Sequence, residues 1–238
     1  DNFIRAPIDN DIGTSQVGFV DPHSWVAKWQ RAGLYDLRHK CVGIRCNTAM
    51  GIIEIDHAYF YLDRRLLRTT WHHQFTANGA MHLSITVHTD TALPSLPRVG
   101  ASFQLKTKPE QIEWLGRGPH ENYPDRKLSA DIGHWQQPIK EMHTDYIFPS
   151  ENGLRCDVST LQVGDLRVAG DFHFSVSEYG TEQLMQAAHQ HELESKAGLF
   201  VYIDGFHMGV GGDDSWSPSV KAAYQLTESE YHWQFTLA

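Results

Sequence analysis

The sequence is short of the features that mark two large classes of protein. It has 20 lysines and arginines against 29 aspartates and glutamates, a formal net charge of −9. A nucleic-acid-binding face needs clustered basic side chains to neutralise phosphates, and an anionic membrane surface attracts the same side chains. The uncharged apolar runs are far shorter than the roughly 20 residues of a membrane-spanning helix. The sequence therefore predicts neither a nucleic-acid partner nor a membrane partner.

Cysteine is scarce as well. The three cysteines, Cys41, Cys46 and Cys156, are an odd number and do not make a disulfide framework. We therefore expect reduced thiols and a cytoplasmic protein. The phosphate-binding Gly-Lys-Ser/Thr loop and the Gly-x-Ser-x-Gly nucleophile elbow are also absent from the sequence.

The signatures of a metal site are missing, although the chain has 15 histidines. It contains neither His-Glu-x-x-His nor a Cys-x-x-Cys pair. His72 and His73 are adjacent, and His189 and His191 are two apart, so neither pair shares one face of a helix. We interpret these histidines as surface or packing residues and predict that the chain binds no metal.

Alternating apolar and polar residues are what the chain has in quantity. Met81, Leu83, Ile85 and Val87 alternate with polar residues, which is the period of a half-buried strand. Asn78-Gly79 before them is a strong hairpin signal. Further strand segments are predicted at 52–55, 59–61, 172–176 and 199–203, with a terminal hairpin of arms 222–226 and 231–237 around a turn at 227–230.

Two short helices are predicted to interrupt the strands. Asp21 offers an N-cap with Pro22 at the first helical position, and Gly33 is a plausible stop. The second helix is predicted over 181–193. No internal repeat or linker is evident, so we expect one all-β domain over residues 1–238, a large antiparallel β-sandwich with one or two short helices.

The segment 205–218 is the sharpest local signal. It has four glycines in eight residues, which allow positive φ angles and close approach to another surface. Asp213, Asp214 and Trp216 follow. An aromatic face beside carboxylates suits a pyranose, which stacks its C–H face on the ring and donates its hydroxyls to the acids. The alternative is a surface loop whose tryptophan packs into the core, although loops on rigid scaffolds often carry function.

Two other segments are dense in polar residues. In 114–126, Glu121, Asp125 and Arg126 could bind a ligand, but an ion-paired turn is the favoured interpretation. In 5–13, the Asp9-x-Asp11 spacing suggests calcium, yet the further oxygen ligands and the closing Glu of a calcium loop do not follow. We therefore predict no calcium site.

Taken in order, the segments 5–13, 114–126, 148–156 and 204–220 resemble the small C-terminal domain of β-galactosidases of glycoside hydrolase family 2. The similarity runs from Phe3 to nearly the end and is weaker over 40–100. It implies the supersandwich fold shared with galactose mutarotases. The family's domain begins upstream of Arg5-Ala6-Pro7, and the chain opens on Asp1-Asn2-Phe3. We therefore expect an excised piece that lacks the first strands and leaves an open sheet edge.

The resemblance implies a parent enzyme that hydrolyses terminal β-D-galactose, from lactose for example, with retention. Retaining glycosidases use two carboxyl groups about 5–5.5 Å apart. In this family both are glutamates on a separate TIM-barrel domain, so no catalytic residue is expected in this chain. The parent's Mg²⁺ and monovalent cation are expected mainly on the barrel, and no cofactor on this chain. The expected partners are the barrel, the remaining domains and a galactoside, in a homo-oligomeric parent.

The resemblance also implies roles for individual residues. Trp216 corresponds to the family's tryptophan that stacks on the bound sugar. The loop after Gly13 resembles a mobile loop near the mouth of the site, with Gly13 as its hinge. The residues assigned to shaping these loops are Asp9, Asp11, His207, Asp213 and Asp214. Two alternative functions stay open on the same fold: a stand-alone aldose mutarotase, which needs a general acid and a general base, and a non-catalytic carbohydrate-binding module.

Overall fold

The computed structural model describes residues 1–14, 19–90, 92–195, 197–214 and 219–238. In these residues the chain is mostly β-strand. The strands are β1 Arg38–Asn47, β2 Ile52–Tyr61, β3 Arg64–Phe75, β4 Met81–Thr89, β5 Arg98–Leu105, β6 Gln111–Gly118, β7 Asp131–Pro138, β8 Arg155–Val163, β9 Leu166–Ser177, β10 Leu199–His207 and β11 Glu230–Leu237. The helices are α1 Asp9–Ile12, α2 Trp25–Ala32 and α3 Thr181–Gln186.

All the strands join one antiparallel sheet. Its main path runs β1-β2-β3-β4-β11-β9-β8-β6-β7, and β10 links β9 to β5. Buried side chains of strands four steps apart on this path, Leu83 and Ile85 of β4 and Ile112 and Trp114 of β6, belong to the same apolar cluster. One continuous core is therefore shared by strands that are distant along the sheet. The predicted all-β class is confirmed, and the layering is that of a β-sandwich.

Helix α2 packs its apolar face on this core. Trp25, Val26 and Trp29 are buried as predicted. The predicted N-cap at Asp21 is wrong: Ser24 caps the helix, because its Oγ accepts from the Ala27 N–H at 3.2 Å. Within the described residues, no helix has the length and apolar character to cross a membrane.

Gly33 ends α2, as predicted. Its φ of 78° lies in the left-handed region, and a Cβ there would lie 2.0 Å from the Tyr61 ring. Both the backbone conformation and the contact with β2 therefore require glycine at this position.

Two predicted elements are wrong in extent or type. The helix predicted over 181–193 ends at Gln186, where Ala187 turns extended, and a separate 3₁₀ turn covers Gln190–Glu192. The terminal hairpin does not form, because 222–224 is a 3₁₀ turn. Strand β11 pairs instead with β4 and β9. The hairpin at Asn78-Gly79 does form, between β3 and β4.

The cysteines are free thiols, as predicted. Cys41 and Cys46 are exposed, whereas Cys156 is buried at the start of β8. Burial raises the pKa of the Cys156 thiol, so this cysteine stays protonated and unreactive at neutral pH.

His173 of β9 gives the sheet a pH-sensitive contact. Its Nδ1 accepts from the Asp157 N–H of β8 at 3.1 Å, which only an imidazole unprotonated at Nδ1 can do. Burial lowers the pKa of His173 from 6.5 to about 4. Because the unfolded chain takes up a proton at higher pH than the folded chain, this contribution to stability is present above pH 6.5 and is lost as the pH falls towards 4.

The unfolding free energy of the wild type should fall between pH 7.5 and pH 5.0. We expect this fall to be smaller by about 2 kcal/mol in His173→Gln. Glutamine can still accept from Asp157 but takes up no proton. Urea unfolding at the two pH values measures the difference. His232→Gln, at an exposed position on β11, is the matched control and should keep the wild-type pH dependence. An unchanged slope in His173→Gln would contradict the assignment.

Candidate functional site

The segments that carry the family resemblance meet at one end of the sheet. The loop after β10, residues 208–214, is called here the glycine-rich loop. Arg5 donates from Nη1 to the Met208 carbonyl and from Nη2 to the Gly209 carbonyl, each at 3.1 Å. Asn10 Nδ2 donates to the Val210 carbonyl at 2.8 Å. The chain start and the glycine-rich loop, 200 residues apart in sequence, are therefore side by side.

Asp11 holds this junction from the inside. It is fully buried and forms a two-pronged ion pair with buried Arg5, Nε to Oδ2 at 2.9 Å and Nη2 to Oδ1 at 2.7 Å. Its Oδ2 also accepts from the Ile8 N–H at 3.2 Å. Both carboxylate oxygens are bonded within the protein, so Asp11 shapes the loops by fixing Arg5 and has no oxygen turned towards a cation.

The glycine-rich loop is held from its other side by Asp125. Its carboxylate accepts from the Val210 N–H at 3.0 Å and the Gly211 N–H at 2.8 Å. A Cβ at Gly209 would lie 2.4 Å from Asp125 Oδ2, so this close approach needs glycine. Sequence reasoning had left Asp125 among the residues of a turn. The available signal was the run of backbone N–H groups in the glycine-rich loop, which need an acceptor.

The ion-paired turn favoured for 114–126 is present. Arg126 Nη2 lies 2.6 Å from Glu121 Oε1. Glu121 also accepts from the Gly153 N–H at 2.8 Å and from the Tyr146 hydroxyl. The backbone bond from Gly153, with the bonds from Tyr146 and Arg126, outweighs burial and lowers the pKa of Glu121. Glu121 is therefore an anionic anchor for the neighbouring 146–153 segment.

An open cavity of about 550 Å³ lies between these segments. This volume is in the ordinary range of small-molecule sites. Ile147 and Phe148 form an exposed apolar rim, 83% and 46% exposed. The full lining is Ile8, Asp9, Asn10, Tyr123, Arg126, Tyr146, Ile147, Phe148, Ser150, Glu151, Val210, Gly211 and Gly212. The cavity thus combines an apolar rim with a few converging polar groups.

Trp216 lies outside the described residues, with its neighbours 215, 217 and 218. The described ends of its loop are informative. Gly211 and Gly212 line the cavity. Gly211, at a φ of 68°, has the Ser219 carbonyl 2.5 Å from the position of a Cβ, so the chain returns to Gly211 after position 218. One described end of the loop that carries Trp216 therefore lines the cavity, and the other end, Ser219, lies beside Gly211.

The other predicted site residues divide into exposed and buried positions. Asp9 is exposed and lines the cavity. Gly13 ends α1 at a φ of 73°, and its N–H donates to the Asp9 carbonyl. Asp213 and Asp214 are exposed on the glycine-rich loop, and Asp213 lies 3.4 Å from Lys221 Nζ.

His207 is placed differently from the exposed acids. It is buried at the end of β10, its ring packs on Tyr123, and its Nδ1–H donates to the Met208 carbonyl at 2.7 Å. Burial lowers its pKa well below the ordinary value. His207 therefore supports the glycine-rich loop from inside as a neutral side chain, and it does not line the cavity.

A buried ionic cluster lies under the cavity floor. Arg98 of β5 binds Asp204 of β10, Nη2 to Oδ2 at 2.7 Å, and Glu151, Nη1 to Oε2 at 3.2 Å. All three are almost completely buried, and burial raises the pKa of both carboxyls. Sequence reasoning missed this cluster. One signal was available in the sequence: Asp204 directly follows the apolar run Leu199–Ile203, and an acid at the end of a buried strand needs a partner.

The family model of the β-galactosidase small chain matches residues 1–237. The chain belongs to the β-galactosidase small-chain family. The β-galactosidase of Aeromonas hydrophila is 49% identical over 241 residues, 100% of this chain and 24% of that protein. The β-galactosidase of Yersinia enterocolitica is 52% identical over 236 residues, 98% of this chain and 22% of that protein. The small-chain domain thus spans about a quarter of the length of the curated relatives it matches.

Two of the described residues that line the cavity of this small-chain domain carry carboxyl groups, Asp9 and Glu151. Of the described lining residues, Asp9 is exposed and Glu151 is held by Arg98. The described lining therefore offers one exposed carboxylate to a polar ligand, while its other carboxylate is engaged by a buried arginine.

Proposed function

We propose that this chain is the C-terminal domain of a retaining β-galactosidase acting on terminal β-D-galactose, as in lactose, and that it forms one wall of the sugar cleft. The observation that carries the proposal is the meeting of three segments at one cavity: the start of α1, the 121–126 turn and the glycine-rich loop that leads to Trp216. The catalytic glutamates are proposed to lie on a TIM-barrel domain elsewhere in the longer protein.

The chemistry of the cavity supports a galactoside. The apolar C–H face of galactose stacks on an indole, which we assign to Trp216. Its hydroxyls need acceptors and donors, and Asp9 and Arg126 offer both at the lining. The apolar rim at Ile147 and Phe148 suits the surface of another domain better than water.

We propose that the parent's Mg²⁺ and monovalent cation are held outside this chain. The acidic pair that the sequence offered does not fit a cation, because both oxygens of Asp11 bind Arg5. The free thiols fit a cytoplasmic protein.

Complementation tests the proposal. We expect this chain, mixed with a β-galactosidase fragment lacking the region, to restore hydrolysis of a chromogenic galactoside. Trp216→Ala should then lower kcat/KM by about tenfold to a hundredfold, because the stacking surface is lost, and Trp216→Phe should recover part of it.

The matched control is Phe75→Ala, at an aromatic side chain 47% exposed at the end of β3. It should leave kcat/KM of the complemented enzyme unchanged. The proposal fails if the fragment works at full rate without this chain, or if Trp216→Ala complements as well as the wild type does.

A further inference from the structure

A surface turn outside the cavity brings together three side chains that bind transition metals. One ligand atom each from His189, His191 and Glu192 lies within 4.8 Å of the other two. Among the residues described by the structure, this is the only group of three or more His, Cys, Asp or Glu side chains that come so close. Spacing along a helix had argued against this pair of histidines, but the chain leaves α3 at Gln186 and a 3₁₀ turn follows.

The turn holds the three groups in place before any ion binds. Glu192 Oε2 accepts from the Ala188 N–H at 2.9 Å, and Glu192 Oε1 lies 2.9 Å from His189 Nδ1. The rings of His189 and His191 stack with centroids 5.4 Å apart and planes 25° apart. The carboxylate is thus fixed by the backbone, and both imidazoles lie beside it.

We propose that His189, His191 and Glu192 form a binding site for a divalent transition metal of the zinc type. Two imidazoles and one carboxylate are a ligand set that zinc accepts, and a water molecule can take the fourth position. Mg²⁺ and Ca²⁺ prefer oxygen ligands throughout and would bind poorly.

The geometry requires only small movements. Ligands about 2.0–2.1 Å from a tetrahedral ion are about 3.3 Å apart. The three ligand atoms, at most 4.8 Å apart, must therefore close by about 1.5 Å or less. Because all three side chains are exposed, rotamer changes can supply this movement without repacking the core.

The site connects to the rest of the fold through Gln190. Its Nε2 donates to the Tyr146 carbonyl at 2.7 Å. A bound ion would fix the turn and, through Gln190, the segment that carries Tyr146. None of the three ligands lines the cavity, so the metal site does not depend on the proposed galactoside wall, although Tyr146, which Gln190 contacts, is one of the lining residues.

Calorimetric titration of the metal-free 238-residue chain with ZnCl₂ at pH 7.5 tests the proposal. We expect one zinc per chain, with affinity reduced at least about tenfold in His191→Ala and in Glu192→Gln. Binding should weaken at pH 5.5, because the imidazoles must be unprotonated to bind. Co²⁺ should give visible d–d bands that both variants lose, and MgCl₂ should not compete.

His134→Ala is the matched control, because His134 Nε2 lies 3.0 Å from Glu113 Oε1 in an exposed pair without a second histidine. It should bind zinc as the wild type does. The proposal is overturned if His191→Ala and Glu192→Gln keep wild-type affinity. It is equally overturned if zinc binding is lost in His57→Ala instead, since His57 and His39 form another histidine contact at 2.8 Å. All of these positions are at least partly exposed, and circular dichroism of each variant checks that the fold is kept.

Discussion

Replacing Asp11 with asparagine is expected to lower the free energy of unfolding by about 3–5 kcal/mol. Asparagine has nearly the same size, so the loss comes from charge. Arg5 is completely buried and has its two-pronged partner in Asp11. Without that carboxylate, a guanidinium is left in the interior with neutral acceptors only, the carbonyls of Met208 and Gly209 and the amide oxygen of the new asparagine.

The same substitution should disturb the cavity. Arg5 ties the start of the chain to the glycine-rich loop, so a loosened Arg5 frees both the start of the chain and the loop that precedes Trp216. In the complementation assay, Asp11→Asn is therefore expected to lower kcat/KM as well as stability. Urea unfolding at pH 7.5 gives the first quantity and steady-state kinetics of the complemented enzyme gives the second.

Two variants separate charge from packing. Asp9→Asn, two positions earlier on the same helix but exposed, should change the unfolding free energy by less than about 0.5 kcal/mol. The double replacement Arg5→Met with Asp11→Leu should cost less than Asp11→Asn alone, because apolar side chains can replace a buried ion pair. If Asp9→Asn and Asp11→Asn change the unfolding free energy equally, the buried ion pair stabilises the protein no more than an exposed carboxylate does.

The contrast between Asp9 and Asp11 shows how far the sequence alone reaches. Both were predicted to shape the loops, on the strength of a family motif. The four-residue α1 is too short for a hydrophobic period to show which residue points inward. Only the packing of Arg5 against Met208 and Gly209, some 200 residues away in sequence, separates the buried acid from the exposed one.

Local patterns predicted the strands but not all of their partners. The alternation at Met81–Thr89 and the Asn78-Gly79 turn fix a hairpin, because neighbours in sequence pair there. The last strand has equally clear alternation, yet it inserts between β4 and β9 rather than pairing with the residues before it. The choice of partner strands depends on which apolar faces the folded sheet leaves open. A short segment of sequence does not contain that information.

Composition alone pointed to one part of the candidate site, whereas the long-range polar contacts that hold it could not be predicted. The glycine-rich loop was singled out from composition. Its carboxylate partner Asp125 is 85 residues away from Val210. A contact between residues so far apart produces no repeating pattern in the sequence. The same holds for Arg98, which reaches Glu151 and Asp204 from a different strand.

Arg98→Met is expected to destabilise the protein at pH 8 by about 3–5 kcal/mol. Methionine keeps much of the apolar stem but removes the only cation that binds both Asp204 and Glu151 among the contacts described here. Two carboxylates would then be buried close together, and each disfavours the charge of the other. Arg167→Met, at an exposed position on β9, is the matched control and should change stability by less than about 0.5 kcal/mol.

The penalty should shrink as the pH falls. Burial already raises the pKa of Asp204 and of Glu151, and losing Arg98 raises both further. A carboxyl whose folded pKa lies above its unfolded pKa costs stability as the pH rises through that interval, and the cost disappears when both states are protonated. The stability difference between wild type and Arg98→Met is therefore expected to be smaller at pH 5 than at pH 8.

Adding Asp204→Asn to Arg98→Met identifies the carboxyl groups responsible. The double variant has one buried acid fewer, so at pH 8 it should recover part of the lost stability, and its pH dependence should be flatter than that of Arg98→Met. The buried carboxyl groups lower the unfolding free energy as the pH rises. The contribution of His173 has the opposite pH dependence, because it is lost as the pH falls. If Arg98→Met is equally destabilised at pH 5 and pH 8, the cost arises from packing around the arginine stem, and the ionic cluster under the cavity does not hold β5, β10 and Glu151 together by charge.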